Sequence, residues 1–507
     1  ATNISGISSV TATNFYGNGA SLSGIEAAPT IQGVANGTIA SEAAVIVESD
    51  GKVAPITFTA SAAPTAAQVC CTDMATAQTY PFYNMQGAYD STTGRIVTIY
   101  RTSAGGQLNF VVGTRSGSSI TWGTPVELTA NGVSQGCLDV CCIGTDKFFA
   151  IYGNNSGVHC YVAAITTTSS NTFTKGTEVQ VSSSGIFCPR VIYDTKNSGV
   201  LMAYSNGNKK SRWATVSGTT VTLSAEDQWH TGDYSQGFAS YDSKNGIMLL
   251  AWVGNATSYI GDPQVAYIYK DPNSAATLHG SMNSPYAAEG KEAVCLYNPI
   301  NDRYYAFFTK NNTYSYYTIG TYNAAQHSVT WGTQAANQPL SPNNQPNQTF
   351  ITYAIDPVSG KIIQSYLRGG KQRYSLYGWD VVYVLQNEVV ESDWNTSTDD
   401  PVPLVFLGSM AFAFGYNTSG SSGGWQIKQF EHTDLSGKNF IGFSKAGYTN
   451  GQTATVKVVG NVSTQSSLTP GEKYYVQNNG TLASTPGDPS VVAGRALTST
   501  SLLIQPV

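Results

Sequence analysis

Ala88-Tyr89-Asp90-Ser91-Thr92-Thr93-Gly94-Arg95-Ile96-Val97-Thr98-Ile99-Tyr100 reads as one β-hairpin. β-formers flank a Ser-Thr-Thr-Gly reversal, and the glycine supplies the backbone freedom that a tight turn needs. The pattern returns along the chain. Ile192-Tyr193-Asp194 leads to Met202-Ala203-Tyr204, Ser240-Tyr241-Asp242 to Leu250-Ala251-Trp252, and Leu296-Tyr297-Asn298-Pro299 to Phe307-Phe308. Ala354-Ile355-Asp356-Pro357 through Ser365-Tyr366 is a looser copy, and the loosest keeps Thr145-Asp146-Lys147 and Ile151-Tyr152. Successive copies stand about 48 to 58 residues apart, within the range of propeller repeats.

Each unit holds four strands. In the first, Met85 to Tyr89, Arg95 to Tyr100, Gln107 to Thr114 and Ser119 to Trp122 follow one another, the last continuing into Pro125-Val126-Glu127-Leu128. A single four-stranded sheet cannot cover both of its faces, whereas six or seven packed around an axis cover one another and leave only short edges. The expected fold is therefore all-β, a β-propeller over residues 64–400. Six blades are countable, and residues 401–429 are either a linker or a degenerate seventh blade using Leu404 to Tyr416.

A second self-similarity joins the chain ends. Glu42-Ala43-Ala44-Val45-Ile46-Val47-Glu48-Ser49-Asp50-Gly51-Lys52-Val53 matches Gly471-Glu472-Lys473-Tyr474-Tyr475-Val476-Gln477-Asn478-Asn479-Gly480-Thr481-Leu482. Both are hairpins with Asp-Gly or Asn-Gly at the reversal, and such hairpins need partners to be stable. Residues 27–63 and 430–507 are thus expected to form one small β-domain, with the propeller inserted between them. The polar stretch from Glu391 to Asp400 reads as the propeller's exit, and residues 1–26 as an extended N-terminal attachment arm.

Composition narrows the function. The 507 residues carry only 11% charged side chains and a formal net charge of −5, against about 25% charged in an ordinary domain. No basic block is present to displace phosphate counterions, which excludes nucleic acid as the expected partner. No apolar run is long enough to span a bilayer, and the first residues lack the pattern of a secretory signal. The eight cysteines include the vicinal pairs Cys70-Cys71 and Cys141-Cys142 with Cys137 nearby. That spacing suits small buried side chains better than disulfides or zinc, and implies assembly in a reducing cytoplasm.

Three stretches resemble a known family. Ser9-Val10-Thr11-Ala12-Thr13-Asn14-Phe15-Tyr16-Gly17-Asn18-Gly19-Ala20-Ser21-Leu22-Ser23-Gly24-Ile25 is similar to the short repeat of marine phage and cyanophage tail-fibre proteins. Phe440 to Tyr448, Asn450 to Val456, Leu468 to Leu482 and Val491 to Leu497 resemble their carboxy-terminal segments. The central units, with Trp122-Gly123-Thr124-Pro125-Val126, are similar to propeller-like repeats in some of them. The resemblance implies a virion surface protein, usually homotrimeric, that is tied to other virion proteins at one end and meets the host at the other. The fibre repeat occurs once here, which points to a short spike rather than a long shaft.

Catalysis finds no positive sign in the residues. Propeller sialidases grip a carboxylate with an arginine cluster and use paired acids. This chain's few arginines include Arg95, Arg101, Arg190, Arg212, Arg303, Arg368 and Arg373, and its Tyr-Asp turns lack the tryptophan of the sialidase Asp box. The repeated aspartates are expected to cap their own turns. His159, His230, His279, His327 and His432 have no metal-pair spacing; no cofactor and no metal is expected. Binding has a physical case in the loops that join units and in those between second and third strands. Trp229, His230, Asp233, Tyr234 and Tyr286 lie in the first kind, Tyr259, Asp262, Tyr314 and Arg368 in the second. Aromatic faces beside such polar groups can grip sugars; the blander reading is that they fill gaps between units. The expectation is a non-enzymatic virion fibre or appendage protein that binds host glycan or protein. The alternatives are a glycan-degrading propeller enzyme and a purely structural decoration protein.

Overall fold

Arg95 to Tyr100 does not alternate between buried and exposed positions: all six residues are buried. Phe148 to Gly153 and Gly199 to Ser205 are buried throughout in the same way. A strand with both sides covered must lie in a sheet that is sandwiched by others. The computed structural model describes residues 29–66, 68–74, 85–102, 107–129, 138–153, 160–183, 186–232, 235–255, 258–280, 282, 284–285, 293–310, 314–332, 349–368, 371–377, 384–390, 403–417, 422–487 and 489–505. The described residues form two compact units, one from 29–60 with 431–505 and one from 61–430.

The larger unit is a β-propeller of seven antiparallel blades. Blade 1 runs from the innermost strand Met85–Asp90 through Arg95–Arg101 and Leu108–Ser116 to an outer edge shared by Ser119–Trp122 and Val126–Thr129. Blades 2 to 6 repeat this order over 138–182, 187–231, 235–279, 293–331 and 349–390. Each innermost strand lies beside that of the next blade, and the seventh, Leu404–Gly408, returns to Met85–Asp90. The ring is closed.

Of the two expected counts the structure has the seven-bladed one, and the described part of 401–429 belongs to the degenerate seventh blade. Leu404–Gly408, Ala411–Asn417 and Gly423–Gln429 are three strands of blade 7, and Gln68–Cys71 from the other end of the insertion supplies its fourth. A blade assembled from two distant segments shows only part of the repeat in sequence, which hid it. The propeller accordingly reaches Phe430 rather than residue 400.

Register explains the repeat. One residue in the left-handed region precedes the second strand of every blade: Gly94, Asp146, Ser198, Gly246, Asp302, Gly360 and Met410, with φ between 57° and 73° except Ser198 at 56°. Six residues beyond that position stands a buried aromatic in blades 1 to 5 and 7, at Tyr100, Tyr152, Tyr204, Trp252, Phe308 and Tyr416. Each such ring contributes about 2–3 kcal/mol on burial. The phenols of Tyr100, Tyr152 and Tyr204 donate to Asp73, Glu178 and Glu226 at 2.9, 2.8 and 2.6 Å. Adjacent blades approach closely at Gly123, Gly176 and Gly280, where a Cβ would stand 2.3, 2.0 and 1.8 Å from the carbonyl oxygens of Asn171, Thr219 and His327.

The smaller unit is a duplication. Its first sheet has the order Thr30–Val34, Thr453–Lys457, Phe440–Ser444, Ala44–Val47, Val53–Pro55. The second, Val462–Thr464, Ser501–Ile504, Val491–Thr498, Lys473–Val476, Leu482–Ala483, repeats that topology strand for strand. The hydrogen bonds match as well: Gly51 N–H to Glu48 O and Gly480 N–H to Gln477 O are both 2.9 Å. Matching bulges centre on Gly442 (φ 145°) and Gly494 (φ 157°), where a Cβ would lie 2.0 Å from the Lys457 and Leu503 carbonyl oxygens. One hydrophobic cluster, including Ile46, Phe440, Phe443, Val476, Val491 and Leu502, draws on both sheets. The Glu42 carboxylate links the halves, accepting from Lys457 Nζ, from Ser463 Oγ at 2.7 Å and from Thr464 N–H at 3.0 Å.

The propeller is therefore inserted in one half of the duplicate, at the place where the other half has only residues 484–490 between strands. Replacing residues 61–430 by a copy of that seven-residue connection is expected to leave a folded β-domain with a cooperative melt, read by circular dichroism and dispersed amide resonances. An unfolded product would show that the duplicate needs the propeller to fold.

Candidate functional site

The repeated aspartates sit at one end of the propeller and are spent on structure. Asp194 Oδ1 accepts the N–H groups of Lys196 and Asn197 at 3.0 and 3.1 Å, and also the Tyr241 hydroxyl of the next blade at 2.7 Å. Asp242 likewise holds Lys244 and Asn245 N–H and takes the Tyr304 hydroxyl from the following blade. Asp90 accepts Thr92 N–H and, at 2.8 Å, Asp146 N–H across the blade boundary. Asn298 holds Ile300 N–H and donates to Gly360 O at 3.2 Å. Asp90, Asp194 and Asp242 cap their own turns and also bond to the next blade, while Asp356 caps its own turn. Burial beside Asp194 pushes the Tyr241 hydroxyl up to about 12, so these phenols remain donors at physiological pH.

The predicted binding residues fare differently. Trp229 is 6% exposed and packs on Trp252 with ring centroids 5.7 Å apart, the Lys209 ammonium standing 5.6 Å from the Trp252 ring. It is a core residue, which corrects its assignment to a binding loop. His230 is exposed, but on the outermost strand of blade 3, Asp227–Thr231, where it faces Lys209 in the ladder. Tyr259 and Asp262 lie within the strand Ser258–Lys270, because pairing continues to Asn255 opposite Ser258. Tyr314 opens the strand Tyr314–Asn323, and Arg368 closes Ile362–Arg368. β-forming sequence carries these hairpins into what composition reads as loop. Their backbones are thus placed in ladders, while Asp233, Tyr234 and Tyr286 lie outside the described residues. Of this set, the described side chains are those of Trp229 and His230.

A different set converges on the axis. Pairing with the second strands puts Gln86 opposite Ile99, Asp139 opposite Ile151, Arg190 opposite Ala203, Phe238 opposite Ala251, Val294 opposite Phe307 and Thr352 opposite Ser365. Pro403, whose carbonyl accepts Gly415 N–H, completes one residue per blade at a single level. Six of the seven, all but Val294, line a cavity of about 190 Å³ together with Val140, Val191, Ala239 and Leu404. The level lies about four residues before the turn aspartates, roughly 13 Å along strands rising ~3.3 Å per residue, toward the end where the inter-blade connections enter.

The layer is chemically lopsided. Asp139 and Arg190 come from consecutive blades, with Gln86 and Phe238 on either side of them. Asp139 accepts Val140 N–H at 3.0 Å and Val191 N–H of the next blade at 2.9 Å. Arg190 is 5% exposed, and its guanidinium donates to Pro189 O at 2.7 Å. Desolvation raises the Asp139 carboxyl to about 6, while the positive charge of Arg190 and the two N–H donors pull it back. Sequence reading noted Arg190 only as one of few arginines and passed over Asp139. The signal was the fixed offset of four residues before the turn, which one residue in each blade occupies.

Seven cysteines are described and all are free thiols. Cys70, Cys71, Cys160, Cys188 and Cys295 are buried, Cys141 and Cys142 are half-buried, and Cys137 lies outside the described residues.

Comparison with known proteins places these features in context. No protein-family model and no curated protein matches the chain. Among solved structures, a Lactobacillus plantarum protein is similar over 65% of this chain and 88% of its own, at 12% identity and a TM-score of 0.46. Sqt1 from Chaetomium thermophilum is similar over 68% and 82%, at 10% identity and 0.42. A candidate 6-phosphogluconolactonase from Bacteroides fragilis is similar over 75% and 98%, at 8% identity and 0.45.

Two measurements separate structure from site. Trp229→Ala is expected to cost about 3–5 kcal/mol in chemical denaturation, as for other buried aromatics, whereas His230→Ala stays within about 0.5 kcal/mol. Asp139 gives a pH dependence of definite sign. A carboxyl raised by folding stabilises most below its unfolded value, near 3.9, and that contribution is lost as pH rises through about 6. Asp139→Asn removes the titration, so the melting temperature of the variant minus that of wild type is expected to grow more positive from pH 4 to pH 7. A flat difference would contradict the assigned environment.

Proposed function

We propose that the protein is a phage-type virion fibre or appendage that attaches to host cell-surface glycan or protein during adsorption and catalyses no reaction itself. The observation that carries this reading is the inequality of the propeller's two ends. Across the blade boundaries named above, turn side chains at one end are consumed by capping and latching bonds. The other end receives the inter-blade connections and lies nearer the polar axial layer. The binding surface is assigned to this second end because the polar axial layer lies nearer to it. Within the described cavity lining Asp139 is the single carboxylate, where glycoside hydrolysis uses two acting together.

The composition supports the same reading. With 11% charged residues and 31 tyrosines, the surface relies on hydroxyl, amide and phenol groups, which recognise sugars by directed hydrogen bonds and ring contact. On this reading residues 1–26 tie the chain to other virion proteins, three copies assemble, and the protein is made in the host cytoplasm and works on the outside of the particle.

Labelled full-length protein is expected to decorate cells of a susceptible strain, to compete with particle adsorption, and to leave purified surface polysaccharide at its original chain length. Shortened polysaccharide would favour the enzymatic alternative. Absence of both decoration and competition would favour a structural role.

A further inference from the structure

We infer that the axial layer formed by Gln86, Asp139, Arg190, Phe238, Thr352 and Pro403 is a binding site for one neutral sugar ring. The inference rests on the glycan-attachment reading and names the chemistry of its ligand.

Size comes first. About 190 Å³ holds several waters but falls below the ~300 Å³ at which pockets begin to take drug-sized molecules. A single hexose fits that range; an oligosaccharide would have to enter by one terminal residue.

Charge comes next. At neutral pH the lining carries one carboxylate, Asp139, and one guanidinium, Arg190, which sum to zero. A neutral ligand leaves that balance intact. An acidic sugar would add a negative charge beside Asp139 with no second cation in the described lining, and burying an uncompensated charge is costly.

Hydrogen-bonding capacity follows. An ionised carboxylate offers about four acceptor positions, and backbone N–H groups of Val140 and Val191 occupy two. The remaining capacity suits sugar hydroxyls as donors. Gln86 adds an amide, half-buried at the cavity wall, and Thr352 a hydroxyl group in a residue that is 4% exposed. Phe238 of blade 4, the blade after that of Arg190, is half-buried, and its ring supplies the apolar surface on which the C–H face of a pyranose packs. An axis filled only for packing calls for none of this. Seven equivalent positions could all be small and apolar, yet an acid, a base, an amide, a hydroxyl and an aromatic ring share one level.

The test uses the full-length chain and free D-glucose, D-galactose, D-mannose and N-acetylglucosamine, with N-acetylneuraminic acid as the anionic probe. Saturation-transfer NMR and calorimetry are expected to detect at least one neutral sugar binding more tightly than the anionic one. Phe238→Ala and Asp139→Asn should each weaken that sugar at least tenfold, with circular dichroism unchanged, and His230→Ala on the outer strand should leave it unaltered. Gln86→Leu keeps the test decisive if either axial variant fails to fold, since it alters a half-buried wall residue and should also weaken binding.

No transfer to any neutral sugar, equal affinity in all variants, or preference for the anionic probe would each overturn the axial site. Cell decoration measured on the same proteins separates the two readings. Decoration that persists without sugar binding overturns the axial site alone, whereas sugar binding without decoration overturns attachment.

Discussion

A four-stranded sheet with two apolar faces is stable only when something covers both, and in this chain each blade is covered by two others. The second strands show the consequence most plainly: Arg95 to Tyr100 and Gly199 to Ser205 are buried on both sides. Such a ring has no end that can be left open. Closure falls to Gln68–Cys71, which completes blade 7 beside Gly423–Gln429 and ties the start of the insertion to its finish. The blade-to-blade latches work under the same constraint. Asp194 to Tyr241 and Asp242 to Tyr304 place a charge-assisted hydrogen bond at each boundary, where a slip of one residue would leave a buried acceptor unsatisfied.

The terminal domain solves a different problem by repetition. Two five-stranded sheets of equal topology share one core, and their bulge glycines, Gly442 and Gly494, sit at equivalent points where no side chain fits. The propeller interrupts one half at a connection that the other half crosses in a few residues. Both termini of a closed ring lie in one blade, so the ring can be inserted between two strands that are themselves close together. That geometry makes a propeller a tolerable insertion despite its size.

Closure also creates the axial layer. The innermost strands must face one another, and their register brings one residue from each blade to a common level. Polar groups there cost desolvation, visible in the raised carboxyl of Asp139. Repeating Val294 around the ring would avoid that cost. The actual mixture of Gln86, Asp139, Arg190, Phe238, Thr352 and Pro403 keeps hydrogen-bonding capacity inside a confined space, which is the ordinary construction of a small-molecule site.

The sequence alone determined what local periodicity can carry: the strand runs, the Asp-capped turns, the repeat length, the propeller, and the kinship of the Glu42 and Gly471 hairpins. It also led to the pairing of the two chain ends, because each hairpin needs partners. It could not complete blade 7, whose strands lie more than 300 residues apart in sequence yet share a ladder. Nor could it tell Trp229 as a core ring from Trp229 as a loop aromatic, since burial depends on a neighbour, Trp252, in the next blade. Only tertiary structure decided which residues meet at the axis. Asp139 and Arg190 belong to different repeats and look unrelated along the chain; the closing of the ring makes them neighbours.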